Sequence, residues 1–154
     1  MSPPTDLGYL QGLVTELRKL PAETGWVEFK ENNSNPDDIG EYLSALSNSA
    51  ALLGKSSAYL VWGIRDQTHE VTGTSFKPSQ TKKGNEDLES WLRRQLSPGL
   101  HFRWHEFEYE SQPVVLLEIP RASGKPTQFA GVELIRVGSY RKKLKEFPEI
   151  EREL

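Results

Sequence analysis

The chain contains no cysteine, which removes disulfides and zinc–thiolate sites and suits a reducing compartment. No apolar run approaches the roughly 18 residues needed to span a bilayer. The opening Met1-Ser2-Pro3-Pro4-Thr5-Asp6 lacks the basic and apolar parts of a signal peptide. The expectation is a soluble, cytoplasmic protein with no membrane partner. Nor is there a general excess of positive charge. The formal net charge is −3, which argues against a uniformly basic nucleic-acid binder. At 154 residues the chain has the length of about one domain and can bury a real core.

Several catalytic and nucleotide-binding patterns are also missing. Gly54-Lys55-Ser56 has the ending of a phosphate loop, but the pattern needs a glycine five residues earlier, where Ser49 stands. The stretch also runs from a helical pattern into a strand, so no helix N-terminus follows to hold phosphate. The sequence therefore supports no ATP site. His101 and His105 are spaced as in zinc proteases, but that geometry needs a helix and a glutamate after the first histidine. Here Phe102 follows, and the region alternates like a strand. There is no nucleophile elbow, so acyl transfer has no support.

Charge is unevenly placed. Residues 1–50 carry 3 basic and 8 acidic side chains, a net of −5, while residues 121–145 carry 7 and 1, a net of +6. Positive charge concentrated in one segment is what a phosphate-binding footprint would need. A solvated basic loop would show the same composition.

Hydrophobic spacing outlines the elements. Leu7, Leu10, Val14 and Leu17 predict a helix over 6–20 with Asp6 as its cap and Pro21 beyond its end. Residues 26–31 alternate as a strand. Asn35-Pro36-Asp37-Asp38 is a strong helix start, and Ile39, Tyr42, Leu43, Leu46 and Ala50 recur at helical spacing. The other face of that helix is small and polar, with Ser44, Ser47 and Asn48, and reads as its outer side. Ala58 to Ile64 is a strand buried on both faces, Arg65-Asp66-Gln67-Thr68 is a turn, and residues 74–83 form a polar, basic loop. Asn85 caps a helix over 86–96. His101 to Tyr109 and Gln112 to Ile119 form a hairpin around Glu110-Ser111. Val132 to Val137 is the last strand, closed by Gly138-Ser139, and the basic run Arg141-Lys142-Lys143 follows. The fold class expected is α+β, a two-layer domain with a mixed sheet of about five to six strands and helices packed on it. Residues 1–145 would form one domain, and 146–154 a linker or the start of a helix toward another.

The chemistry concentrates in Glu23, Glu28, Lys30 and Asp66. On a strand Glu28 and Lys30 share a face. Glu23 lies in the turn before, and Asp66 ends the second strand. If the strands are neighbours, three carboxylates and an ammonium converge, which is costly unless a cation or phosphate neutralises them. Carboxylate clusters bind Mg²⁺ or Mn²⁺, and such a metal can activate water toward a phosphodiester. A lysine two residues after a ligand acid can hold the attacking water or the phosphate. An ordinary solvent-facing pair on an amphipathic strand would give the same triplet.

These residues resemble the Schlafen-type AlbA domain, also called divergent AAA-type or ATP-binding, over roughly residues 20–140. The family pattern is an acid, E-F-K, a helix ending near A-N-S/T, a glycine-rich turn, a strand ending G-V-x-D, and I-R-x-G-S. Here it appears as Glu23, Glu28-Phe29-Lys30, Ser44-Ala45-Leu46-Ser47-Asn48-Ser49, Gly63-Ile64-Arg65-Asp66 and Ile135-Arg136-Val137-Gly138-Ser139. One departure is the glycine-rich turn, replaced by Ala50 to Ser57. The resemblance implies a nucleic-acid-binding domain whose backbone contacts would fall on Lys30, Arg65, Arg136, Arg141, Lys142 and Lys143. In relatives with ribonuclease activity two glutamates and an aspartate are catalytic, so that role and the metal would fall on Glu23, Glu28 and Asp66, with Lys30 beside them. The partner would be RNA or DNA, with a homodimer as an allowed assembly. A non-catalytic DNA-binding module of a transcriptional regulator and a protein-interaction domain are the alternatives.

Overall fold

Asp6 accepts a hydrogen bond from the Gly8 amide at 3.2 Å and caps helix α1 (Leu7–Arg18). The computed structural model describes residues 6–22, 24–137 and 140–154. Strand β1 (Val27–Lys30) comes next. Asn35 accepts from the Asp38 amide at 3.2 Å and caps α2 (Pro36–Leu52), with Pro36 in its first turn. α2 ends at Leu53 and Gly54, and the Gly54 φ of +73° turns the chain back. Gly54-Lys55-Ser56 is thus a helix-to-strand turn, with the Lys55 ammonium 4.9 Å from the Trp26 ring.

Strand β2 (Ser57–Trp62) leads through a turn and a long loop to the ribbon β3 (Lys82–Lys83) and β4 (Glu86–Asp87). Lys82 faces Asp87 and Lys83 faces Glu86, so opposite charges are matched across the ribbon. Glu86 and Asp87 are therefore strand residues. Asp87, rather than Asn85, caps α3 (Leu88–Gln95), accepting from the Ser90 amide at 3.0 Å. The loop before the ribbon is less polar than its composition suggests. Phe76 is buried in an aromatic cluster, 4.8 Å from Trp62 and 5.8 Å from Trp104 between ring centroids. The remaining strands are β5 (Leu96–Ser97), β6 (Arg103–Tyr109), β7 (Gln112–Pro120), β8 (Gln128–Phe129), β9 (Val132–Val137) and β10 (Tyr140–Lys143). A short helix α4 (Pro148–Glu151) follows. Glu110 and Ser111, both with positive φ, make the tight turn expected between β6 and β7.

The α+β class is as expected, but the strands divide between two four-stranded sheets. The first has the order β1-β2-β7-β6, with β1 parallel to β2 and the other pairs antiparallel. One face of it packs on α1 through Val14, Leu17, Val27, Phe29, Val61 and Leu116. The other packs on α2 and α3 through Leu43, Leu46, Leu60, Trp62, Leu92 and Leu117. The second sheet has the order β10-β9-β8-β5. β9 is therefore not the last strand: Arg141-Lys142-Lys143 forms β10, antiparallel to it.

The second sheet covers the polar side of α2. Ser44, Ser47, Asn48 and Ser49 are buried rather than facing solvent. The Asn48 amide donates to the carbonyls of Thr127 at 3.1 Å and Leu134 at 2.8 Å, and its oxygen accepts from the Thr127 amide at 2.8 Å. Ser44 Oγ donates to the Thr127 carbonyl at 2.8 Å and accepts from the Leu134 amide at 3.0 Å. Ser47 Oγ meets Thr127 Oγ1 at 3.0 Å, and Ser49 Oγ accepts from the Arg136 amide at 3.2 Å. Short side chains let β8 and β9 approach the helix, and their oxygens and amide satisfy the strand groups brought there.

Gly40 serves the same approach. A Cβ there would stand 2.0 Å from a ring carbon of buried Phe129 on β8. Gly40→Ala gains about 1 kcal/mol of helix propensity but must displace that ring, a larger penalty in a packed interior. The variant is expected to be less stable by roughly 1–3 kcal/mol in denaturant unfolding. An unchanged or raised midpoint would show that β8 is not held against α2.

Candidate nucleic-acid interface

β1 and β2 lie side by side, so Glu28 stands next to Leu60 and Lys30 next to Trp62. Val27 and Phe29 point to α1, which by alternation turns Glu28 and Lys30 toward α2. Glu28 is buried there, and its carboxylate lies between two cations. Oε1 is 3.0 Å from Arg136 Nη2, and Oε2 is 3.3 Å from Lys30 Nζ. The Arg136 and Glu28 side chains are 4% and 6% exposed, so this is an interior ion pair. Arg136 also donates to the carbonyls of Thr24 and Val27. The charge that convergent acids would otherwise need from a metal or phosphate is supplied at Glu28 by the chain itself.

Asp66 lies four residues beyond β2, exposed, with Oδ1 accepting from the Gln67 amide at 3.0 Å. Burial pushes the Glu28 carboxyl above its ordinary range, Arg136 and Lys30 pull it back down, and the Asp66 charge pushes it up again. The two acids thus share one electrostatic neighbourhood. Lys30 is held above the usual lysine value: burial works against its charge, but Tyr42 and Glu28 outweigh it. Glu23 lies outside the described residues, as do Gly138 and Ser139.

Tyr42, on α2, is a central member of the site that the sequence reading placed only in the core. Its ring has the Lys30 ammonium at 4.9 Å and the Arg141 guanidinium at 4.5 Å. Arg141 further pairs with Asp38 and Glu41, both at 3.2 Å. Arg141 faces Arg136 directly across the β10–β9 ladder. Two like charges opposite each other are unfavourable, and each here has its own carboxylate. The helical spacing of Asp38, Glu41 and Tyr42 was a usable signal that one end of α2 presents acids and a ring together.

The basic residues expected to contact the nucleic-acid backbone therefore have different surroundings. Lys30, Arg136 and Arg141 converge on Glu28 and Tyr42. Arg136 is buried with Glu28, which turns its guanidinium inward. Arg65, in the turn after β2, is paired with Glu31 at 3.6 Å and Glu70 at 3.4 Å. Lys142 and Lys143 are exposed on β10, with exposed Lys145 just beyond, and none pairs with a carboxylate among the described residues.

For a metal the fit is incomplete. Among the described residues, no three histidine, aspartate or glutamate side chains come together as a cage. Glu28 and Asp66 could serve as oxygen ligands only with a third group and after Glu28 releases Lys30 or Arg136.

A family model described as Schlafen, AlbA_2 matches residues 23–145. Among solved structures, the DIP2311 protein from Corynebacterium diphtheriae is similar with a TM-score of 0.57 at 15% identity. That match covers 94% of this chain and 29% of that one. The N-terminal domain of a RecG-related protein from Nitrosomonas europaea, named for an ATP-dependent DNA helicase, gives a TM-score of 0.51 at 18% identity, covering 73% of each chain. At these identities both likenesses speak for the fold alone. No curated protein matches the chain.

The neighbourhood of Glu28 and Asp66 can be tested by titration. Asp66→Asn removes a charge that raises the Glu28 pKa, so the Glu28 carboxyl should titrate at lower pH in the variant, followed by its side-chain carbon resonance. An unmoved midpoint would place the two acids too far apart to act together.

Proposed function

Since the chain belongs to the Schlafen, AlbA_2 family, we propose that it binds nucleic acid through the phosphate backbone along β10 and the neighbouring Lys30–Arg141 cluster. The observation that carries this reading is the run of exposed ammoniums at Lys142, Lys143 and Lys145, without carboxylate partners among the described residues. Unpaired surface cations are free to displace counterions from a polyanion, the main source of sequence-independent affinity. Arg141 and Lys30, partly buried over Tyr42, would meet phosphate only by exchanging an acid for it, so they set orientation more than affinity. Arg136 acts from behind, by holding Glu28. Arg65 would contribute at the margin once freed from Glu31 and Glu70.

A second reading is metal-assisted phosphodiester cleavage, with Glu23, Glu28 and Asp66 as ligands, Mg²⁺ or Mn²⁺ as the ion, Lys30 beside the phosphate and RNA as substrate. It is favoured by the electrostatic proximity of Asp66 to Glu28 and by the placement of Lys30 on the same strand face. The ion would supply Lewis acidity toward phosphate. The chain's own part is to hold the carboxylates and to position Lys30.

Binding should weaken with salt, and the slope of log K against log salt should fall by about 1 for each of Lys142→Ala and Lys143→Ala. Fluorescence anisotropy with transfer RNA and with single-stranded DNA measures this. Unchanged slopes would move the interface elsewhere, and no binding at low salt would favour a protein-interaction domain. With Mn²⁺ present, RNA products that disappear in chelator and in Asp66→Asn would support cleavage. Binding with intact RNA leaves a non-catalytic module.

A further inference from the structure

β10 carries more than charge. Tyr140 opens the strand and is 69% exposed, more than Leu7, Tyr9 or Leu53. Its cross-strand partner Val137 is also exposed, at 38%. Strand alternation puts Tyr140 and Lys142 on one face of β10, and the Lys142 ammonium lies 5.7 Å from the centre of the Tyr140 ring. The same alternation turns Arg141 to the opposite face, where it meets Tyr42, Asp38 and Glu41. One strand therefore separates a charge-balanced inner face from an outer face made of an aromatic ring, an apolar neighbour and an ammonium with no carboxylate partner among the described residues.

A bare tyrosine alone on a surface means little. Three features give this one a use. It lies on a hydrogen-bonded hairpin strand. It has an apolar neighbour beside it in Val137. It has a cation two residues along on the same strand face. Aromatic rings interleaved with lysines are the arrangement that recognises single strands, because every base offers a stacking face while a paired base in a duplex does not.

We propose that Tyr140 is a base-stacking platform and that the nucleic acid taken by this domain is single-stranded where it crosses β10. An unpaired base lies against the Tyr140 ring and Val137, and Lys142 holds its flanking phosphate. This rests on the nucleic-acid reading above and narrows it to a substrate class. Lys143 and Lys145 supply the sequence-independent attraction that both strand forms feel.

The test compares affinities of a fluorescein-labelled, non-self-complementary RNA of about 12 nucleotides, within the site size of a small single-strand binder, and of the same RNA annealed to its complement. Wild-type protein, Tyr140→Ala and Tyr140→Phe are titrated at the same low salt, and the salt slope is taken from a matched series at rising salt. Loss of one stacked base should weaken single-strand binding in Tyr140→Ala by about tenfold, leave duplex binding within about twofold, and leave the salt slope unchanged because no phosphate contact is removed. Tyr140→Phe, which keeps the ring, should retain single-strand affinity. Equal losses on both RNAs, no loss in Tyr140→Ala, or a loss in Tyr140→Phe as large as in Tyr140→Ala would overturn the platform while the backbone-binding reading stands. Failure of wild-type protein to bind either RNA would overturn both.

Discussion

The side-chain amide of Asn48, buried on α2, takes the place of a β-ladder for two strands that the helix could not otherwise hold. It binds both backbone groups of Thr127 and the carbonyl of Leu134, while Ser44 and Ser49 take the amides of Leu134 and Arg136. A buried peptide group left unpaired costs about 1–3 kcal/mol, so the clasp decides whether β8 and β9 can lie on α2 at all. The consequence is positional. With the Arg136 backbone fixed by Ser49, its guanidinium reaches across α2 to Glu28 on the first sheet. With β9 fixed, β10 pairs along it and carries Arg141 to Tyr42.

Glu28 shows what that placement is for. A carboxylate inside the protein loses several kcal/mol of hydration, and burial does raise its pKa. Arg136 at 3.0 Å and Lys30 at 3.3 Å offset this. Removing Arg136 would leave the buried Glu28 with only Lys30 of its own strand, so Arg136 ties the two sheets together electrostatically as Asn48 does by hydrogen bonds. The same balance sets these cations apart from the exposed lysines on and just beyond β10, to which the proposed binding is assigned. The cations near Glu28 are engaged by acids, whereas Lys142, Lys143 and Lys145 have no carboxylate among the described residues to give up before they meet a phosphate.

Local rules carried the sequence reading a long way. The Asp6 and Asn35 caps, the helices behind them, the strands β1 and β2, and the Glu110-Ser111 turn all follow from capping chemistry and periodicity, whereas the parallel pairing of β1 with β2 entered only as a condition. Three things were not legible for physical reasons. Ser44, Ser47 and Asn48 read as a solvent face because polarity alone cannot distinguish water from a backbone partner 80 residues away. β10 read as a basic run because an edge strand with charged side chains has little apolar alternation. Asn85 looked like a cap because the charge pairing that makes Glu86 and Asp87 strand residues appears only once Lys82 and Lys83 are opposite them. At the candidate site, motif spacing brought Glu28, Lys30 and Asp66 to notice. Arg136 looked like a surface contact, since nothing local reveals that its partner is an acid more than 100 residues earlier.

Amide hydrogen exchange in Asn48→Ala tests the clasp most directly. Loss of its three hydrogen bonds should lower protection by roughly 10- to 100-fold at Thr127, whose amide it accepts, and, as β9 loosens from α2, at Leu134 and Arg136, with Leu60 and Leu116 in the first sheet changed far less. A uniform loss across both sheets, or none at β9, would contradict the view that α2 holds the second sheet through this side chain.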